Sequence, residues 1–390
     1  MTNWHRWMAL PLPTRWAICV WVALLLGVFG RVAFGRTGAQ SVVPIYAMAG
    51  ERWWNGEPLY DPPPDPLDVY RNPPGFAAVF APLAQLPPRF VGLLWRFMGI
   101  ALFMHGLRRF LAAVGPPLPP RAEATVWIVA AFLVLPAFNN GQVNLPLVAA
   151  ALQGAAAAMR AEWWRASAWL MLAVWLKGYP IALAALIALL APARLGWRMP
   201  LVLTALLAWP FACQDPRYVL DQHDAFWSAT QADERGEAPL ERTMKGWTYL
   251  VRAGRGEFVP PTVLRAAAAV SGLSLAAVVL LAARRTGATP GLYARVLCLG
   301  LLWMVLFGPA TESNTYSILA PAGWLLVGPR LPSAAKAIAG LGIGLLLAIL
   351  LSGAFPSHSD HTLAALQPLG ALLLFGVAVW ESLGASPAAA

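Results

Sequence analysis

Four short polar clusters stand out in an otherwise apolar chain, and their residue types suit the recognition of sugars and phosphates. The first is Tyr70-Arg71-Asn72, set directly before the diproline Pro73-Pro74; proline at the start of a helix leaves these three side chains at its mouth, and helix initiation alone is the simpler account. The second is Asn139-Asn140-Gly141-Gln142-Val143-Asn144, whose amides both donate and accept hydrogen bonds, as a sugar hydroxyl or a phosphate requires. An ordinary Asn-Gly turn accounts for Asn139 to Gly141 but leaves Gln142 and Asn144 unexplained. The third is Lys177-Gly178-Tyr179-Pro180, a lysine between two apolar runs with no acid near it in sequence. An ammonium is a point charge suited to a lipid phosphate, although a lysine snorkelling to the headgroups carries the same signature. The fourth is Thr311-Glu312-Ser313-Asn314-Thr315-Tyr316, where a carboxylate flanked by hydroxyls can orient a sugar or take a proton. Helix capping explains Ser313, Asn314 and Thr315, but not Glu312.

Other combinations carry less. His358, Asp360 and His361 make half of a metal site without a partner cluster, and Asp61, Asp65 and Asp68 lie among prolines as a solvated turn does. No Gly-rich phosphate loop and no Ser-His-Asp order is present, so neither a metal nor a cofactor is expected. Cys19 and Cys298 fall inside apolar runs and Cys213 at a loop edge, a distribution that predicts no disulfide.

The elements that must position these clusters are membrane spans. The 390 residues are 59% hydrophobic and 12% charged, against about a quarter charged in soluble domains. A net charge of +10 raises nucleic acid as a partner, but the arginines sit at the ends of apolar runs rather than in one basic stripe, which argues against it. Lys177, Lys245 and Lys336 are the only lysines, a bias that fits a GC-rich bacterial genome.

At about 20 apolar residues per crossing, twelve runs qualify as whole or broken spans: 16–34, 90–107, 124–138, 145–159, 166–176, 180–190, 201–212, 263–283, 292–308, 316–327, 335–352 and 363–380. The first is expected to be a retained span rather than a cleaved signal peptide. Arg108, Arg109, Arg121, Arg160, Arg165, Arg194, Arg198, Arg284, Arg285, Arg330 and Lys336 then share one side if both termini are cytoplasmic. Parity requires the stretch 74–87, interrupted at Pro82, to be a broken or re-entrant helix that does not cross.

The expected fold is therefore an all-α integral membrane bundle of about twelve spans, forming one domain over 1–390, with its chemistry in outer-face loops. Two of those loops are large. In residues 36–74, Val42, Ile45, Tyr46, Ala49 and Trp53 recur at helical spacing opposite Glu51 and Arg52, which predicts an amphipathic helix lying on the membrane. Residues 213–262 are the only long hydrophilic stretch, and loops of that length are functional or disordered.

The order of the motifs resembles glycosyltransferase family 87, the polyprenyl-phosphate-mannose-dependent group within the GT-C class of membrane glycosyltransferases. The resemblance rests on Trp54-Asn55-Gly56-Glu57-Pro58-Leu59-Tyr60-Asp61, Tyr70 to Phe76 with Ala81 to Pro87, Gly141 to Asn144, and Leu176 to Pro180. It implies a GT-C-like multi-pass enzyme of the bacterial inner membrane that moves a mannose-like hexose, with inversion, from a polyprenyl-phosphate carrier to a lipid or glycan acceptor. Its partners would be those two substrates and membrane lipids.

On that resemblance Lys177 holds phosphate, Tyr179, Gln142 and Asn144 line the donor pocket with Tyr70, Arg71 and Asn72, and Glu312 meets sugar or acceptor. The family pattern also has an aspartate soon after the first span, where this chain has Gln40, Ser41 and Val42. The base is then Glu51, Asp61 or Glu312, or the chain is a non-catalytic or transport protein that binds a lipid-linked sugar. A transporter would show two related halves and midplane polar residues, and neither is visible.

Overall fold

The computed structural model describes residues 7–35, 41–62, 67–232, 240, 243–309, 311–328, 331–350 and 360–384, and among them helices and 3-10 turns are the only regular structure. Prolines punctuate the chain. The helices Pro74–Ala84, Pro88–Val114, Pro120–Asn140, Pro261–Thr286 and Pro290–Phe307 all begin on proline, whose missing N–H costs nothing at the first helical position. In chain order, α1 is Leu12–Phe34, α2 Val43–Asn55, α3 Pro74–Ala84, α4 Pro88–Val114, α5 Pro120–Asn140, α6 Asn144–Met159, α7 Trp163–Lys177 and α8 Ile181–Ala188. The short turn α9 is Pro192–Leu195, and α10 Arg198–Ala208, α11 Pro216–Gln231, α12 Trp247–Arg255, α13 Pro261–Thr286 and α14 Pro290–Phe307 follow. A 3-10 segment, Ser313–Gly323, runs into α15 at Trp324–Val327, and α16 (Ser333–Leu347) and α17 (Asp360–Gly384) complete the bundle.

Eight helices among the described residues are long and apolar enough to cross a membrane, over 12–34, 88–114, 120–140, 192–212, 261–286, 290–307, 333–350 and 363–384. They account for eight of the twelve runs. The other four are shorter elements. Helices α6 and α7 have 16 and 15 residues, α8 has 8, and 316–327 is mostly 3-10 helix. Helix α3, with 11 residues and Pro82 inside it, is about 16 Å long at 1.5 Å per residue, too short to cross.

Packing places α6 at the centre, against α4 and α7. Its sequence is rich in alanine and glycine, and all but two of its sixteen residues are buried. Small side chains let neighbouring backbones close in, as where a Cβ on Gly106 of α4 would stand 3.0 Å from the Ala149 carbonyl oxygen. Helix α14 is buried on nearly every side, whereas α1 and α13 present most of their surface outward.

One sequence expectation is corrected here. Helix α2 forms as the periodicity predicts, but its apolar face is covered by α3 rather than by lipid. Tyr46 packs edge-on against Phe76 and Phe80, with centroids 4.9 and 5.6 Å apart, and Gly50 lies so close to Phe80 and Ala81 that a Cβ would stand 2.9 Å from the Phe80 carbonyl carbon. Among its described residues, the long hydrophilic stretch holds helices α11 and α12. Its ends are tied down. Gln222 accepts from the Leu59 amide at 2.8 Å, Gln214 donates to the Trp53 carbonyl at 2.9 Å, and the Lys245 amide donates to the Thr311 carbonyl at 2.6 Å.

Candidate functional site

Five places meet at one end of the bundle: the N-terminal mouth of α3, the turn between α5 and α6, the break after α7, the start of the 3-10 segment and the first turn of α2. Two glycines make the turns possible. Gly141 ends α5 with φ of 75° and Gly178 ends α7 with φ of 71°, a left-handed conformation that side chains with a Cβ rarely adopt. Each therefore reverses the chain within a residue or two, leaving Gln142 and Asn144 after one break and Tyr179 after the other.

The polar side chains form a connected group. Asn144 Nδ2 donates to Gln142 Oε1 at 2.6 Å and reaches the Asn314 carbonyl at 3.3 Å, while Gln142 Nε2 lies 3.5 Å from Glu312 Oε2. Glu312 caps the 3-10 segment, its carboxylate accepting from the Thr315 amide and its own amide donating to Thr315 Oγ1 at 3.1 Å. Tyr46 accepts from the Val143 amide at 3.3 Å. Burial pushes the Tyr46 hydroxyl up to about 12, the Val143 and Asn72 contacts working against it and the Glu312 charge with it. Tyr179 is likewise raised, by burial first, then by Glu312, then by Tyr46. Both phenols therefore stay protonated at neutral pH, as donors facing a carboxylate.

Within this group several buried atoms make no hydrogen bond. Asn72 Nδ2, Asn144 Oδ1 and the Tyr179 hydroxyl are enclosed without a partner of hydrogen-bonding geometry. Asn72 is 3% exposed and Asn144 not at all. A buried polar atom left in this state costs about 1–3 kcal/mol, so the atoms on Asn144 and Tyr179 near Glu312, with that of Asn72 near Tyr46, make a candidate place for a polar ligand. Glu312 itself is exposed, on the rim of this buried floor.

The other residues singled out by sequence lie as follows. Lys177 is half-buried at the C-terminal end of α7, two residues from Tyr179. Tyr70 is buried and donates to the Pro73 carbonyl at 3.0 Å, which secures the start of α3. Arg71 is exposed and paired with Asp68 at 2.6 Å. Glu51 is exposed on α2, opposite its buried face, and Asp61 is exposed in the following stretch, where Arg52 holds its main-chain carbonyl at 2.8 Å. Gln40, Asp65, Asp233, Glu234, Glu237, Glu241 and His358 lie outside the described residues, as do the side chains of Asp360 and His361. Among the described residues, no three His, Cys, Asp or Glu side chains gather where they could hold a metal ion.

Sequence reading passed over Tyr46, Arg96 and Gln367. Tyr46 was hidden because its position also fits the apolar face of α2. Arg96 and Gln367 did carry a signal, since each interrupts an apolar run, where a polar side chain needs a reason. Gln367 donates from α17 to the Ser313 carbonyl at 3.3 Å, beside Glu312.

Comparison with known proteins agrees with the order of the motifs. Residues 70–309 match the family Glycosyltransferase family 87. No curated protein matches the chain in sequence. Among solved structures, ArnT from Cupriavidus metallidurans bound to undecaprenyl phosphate aligns over 94% of this chain and 77% of its own, at 14% identity and a TM-score of 0.36. The same protein in its apo state aligns over the same shares at 14% identity, with a TM-score of 0.37. Superposition at that level supports no residue-by-residue correspondence.

Proposed function

Because this chain belongs to glycosyltransferase family 87, we propose that it transfers a hexose, mannose or a close relative, from a polyprenyl-phosphate carrier to a hydroxyl of a lipid or glycan acceptor. The site faces the extracytoplasmic side of a bacterial inner membrane, and both termini are cytoplasmic. The observation that carries this reading is the set of unpartnered buried atoms on Asn144 and Tyr179 near Glu312 and on Asn72 near Tyr46. A sugar ring brings several hydroxyls, each able to donate and accept, and so matches one amide N–H, one amide carbonyl and one phenol at once.

In the proposed reaction Glu312 accepts the proton of the acceptor hydroxyl as that oxygen bonds to the anomeric carbon, and the bond from that carbon to the carrier phosphate breaks on the opposite face. The carrier leaves as polyprenyl phosphate, its charge met by the Lys177 ammonium. Gln142 Nε2 holds the carboxylate in place, and its Oε1 holds Asn144. An exposed carboxylate on a buried polar floor suits this division, since the acceptor must arrive from outside while the donor sugar is enclosed.

The test is transfer of radiolabelled sugar from a polyprenyl-phosphate donor in membranes, comparing the wild type with Lys177→Ala and Glu312→Gln. Loss in both variants is expected, with donor affinity weakened chiefly in the first. Equal transfer by all three proteins would remove the site assignment. Donor binding without transfer in the wild type would favour the non-catalytic alternative.

A further inference from the structure

We infer that Arg96, assisted by Arg31, is a positioning residue that clamps the C-terminal end of α5 and thereby sets where Gln142 and Asn144 stand relative to Glu312. Arg96 lies nine residues into α4 and is only 3% exposed. A guanidinium at membrane depth is costly and calls for compensating partners. Those described for Arg96 are all uncharged. Its Nε donates to the Phe138 carbonyl at 3.1 Å, its Nη2 to the Asn139 carbonyl at 2.8 Å and Ser41 Oγ at 3.0 Å, and its Nη1 to the Gly92 carbonyl at 3.0 Å. From α1, Arg31 converges on the same residue, donating to the Asn139 carbonyl at 2.6 Å and to Asn139 Oδ1 at 2.7 Å.

The physical reason lies in the helix end. The last carbonyls of α5 are short of partners within the helix, the Phe138 carbonyl taking the Gly141 amide at 3.3 Å, and carry the negative end of its dipole, so they compensate the Arg96 guanidinium, whose described partners include no carboxylate. The clamp extends along the turn. Trp95 Nε1 donates to the Gly141 carbonyl at 2.8 Å, and the Val42 amide donates to the Asn140 carbonyl at 3.0 Å. The turn is thus held from α4, α1 and the first loop, and the next residue, Gln142, touches the carboxylate. Gly141 admits this closeness, since a Cβ there would stand 3.1 Å from the Arg96 guanidinium carbon. Lysine cannot replace the fork, because it lacks the planar array of donors that reaches three carbonyls and a hydroxyl together.

The inference rests on the reading of Glu312 as the working carboxylate, and its test has one arm that does not depend on that reading. In the purified full chain, hydrogen–deuterium exchange of the peptide covering 138–145 is compared between wild type and Arg96→Lys. Local release predicts exchange about tenfold faster there, with peptides from α14 and α17 unchanged. Trp95→Phe, which removes one bond to the turn and keeps an aromatic ring, should act in the same direction to a smaller extent, and it serves if Arg96→Lys does not fold. In the second arm, Arg96→Lys should lower sugar transfer about tenfold in the wild-type background but less than about threefold in Gln142→Ala, because both changes act through the same contact. Unchanged exchange in 138–145, or losses that multiply independently, would overturn the clamp. Faster exchange in a wild-type-like fold that transfers no sugar would leave the clamp standing and count against the enzyme reading alone.

Discussion

The two ends of helix α6 treat their charges in opposite ways. At the Met159 end, Glu162 accepts from both Arg109 and Arg165 at 3.2 Å, and Arg160 donates to the Arg109 carbonyl at 3.2 Å. Cation meets carboxylate, and the network closes on itself. At the Asn144 end, about 24 Å away along sixteen residues, Arg31 and Arg96 are spent on main-chain carbonyls, and Glu312 is met by an amide. Buried polar atoms are left over there on Asn144 and Tyr179, near the carboxylate, and also on Gln153 and Ser167 toward the other end. What separates the two ends is the carboxylate: one is closed by arginines, the other is met by neutral groups and open to a ligand. The first arrangement suits anchoring, and the second is the one proposed for recognition.

Four measurements can break or sharpen this contrast. The largest effect is expected for Glu312→Gln, which keeps the shape of the cap but removes the base and should reduce transfer by about 100-fold or more, the usual scale for a general base. Next, Tyr179→Phe removes a buried hydroxyl that no described residue satisfies. Transfer should fall about tenfold while Tm holds or rises, because a ligand contact is lost and an unpaired polar group removed. A fall in Tm would show that the hydroxyl serves the fold instead.

The third concerns the closed end. Burial is the largest influence on Glu162 and pushes its carboxyl up, but hydrogen bonds and charge from Arg165 and Arg109 together outweigh it and leave the group below its ordinary value of 4.5. A carboxyl lowered in the folded state contributes stability that is present above its unfolded pKa and lost as pH falls through the folded one. Thermal melts should therefore show a loss below about pH 4.5 that Glu162→Gln removes, with transfer at neutral pH changed little. The smallest effect belongs to Glu51→Gln and Asp61→Asn, whose exposed side chains stand apart from the Glu312 group. Transfer should stay within about twofold of wild type for such surface changes. A loss matching that of Glu312→Gln would move the base to the first loop.

Much of this was legible before any coordinates. Apolar runs bounded by proline and arginine gave the helices, and the spacing of Val42, Ile45, Tyr46, Ala49 and Trp53 gave α2 its buried face. The four clusters could be named in order because each is a local departure from an apolar background. Harder to see was which short helices lie within the bundle. Helix α8 and the segment 316–327 are as apolar as spans, and their length is set by Gly178, Pro180 and Pro321 and by the neighbours that cover them.

What the sequence alone determined is the material: an all-helical membrane chain, an α3 too short to cross, and polar residues gathered at the helix ends. These follow from periodicity, hydropathy and turn chemistry, all of which act over a few residues. Only the tertiary structure set Glu312, rather than Glu51 or Asp61, beside Gln142. Gln142 and Glu312 are separated by 170 positions and meet because α5, α6 and the 3-10 segment pack together. The packing likewise laid α2 on α3 instead of on lipid, and gave Arg96 a helix end for a counter-charge. No local pattern carries that information, because which helix ends share a face depends on side-chain complementarity across the whole bundle.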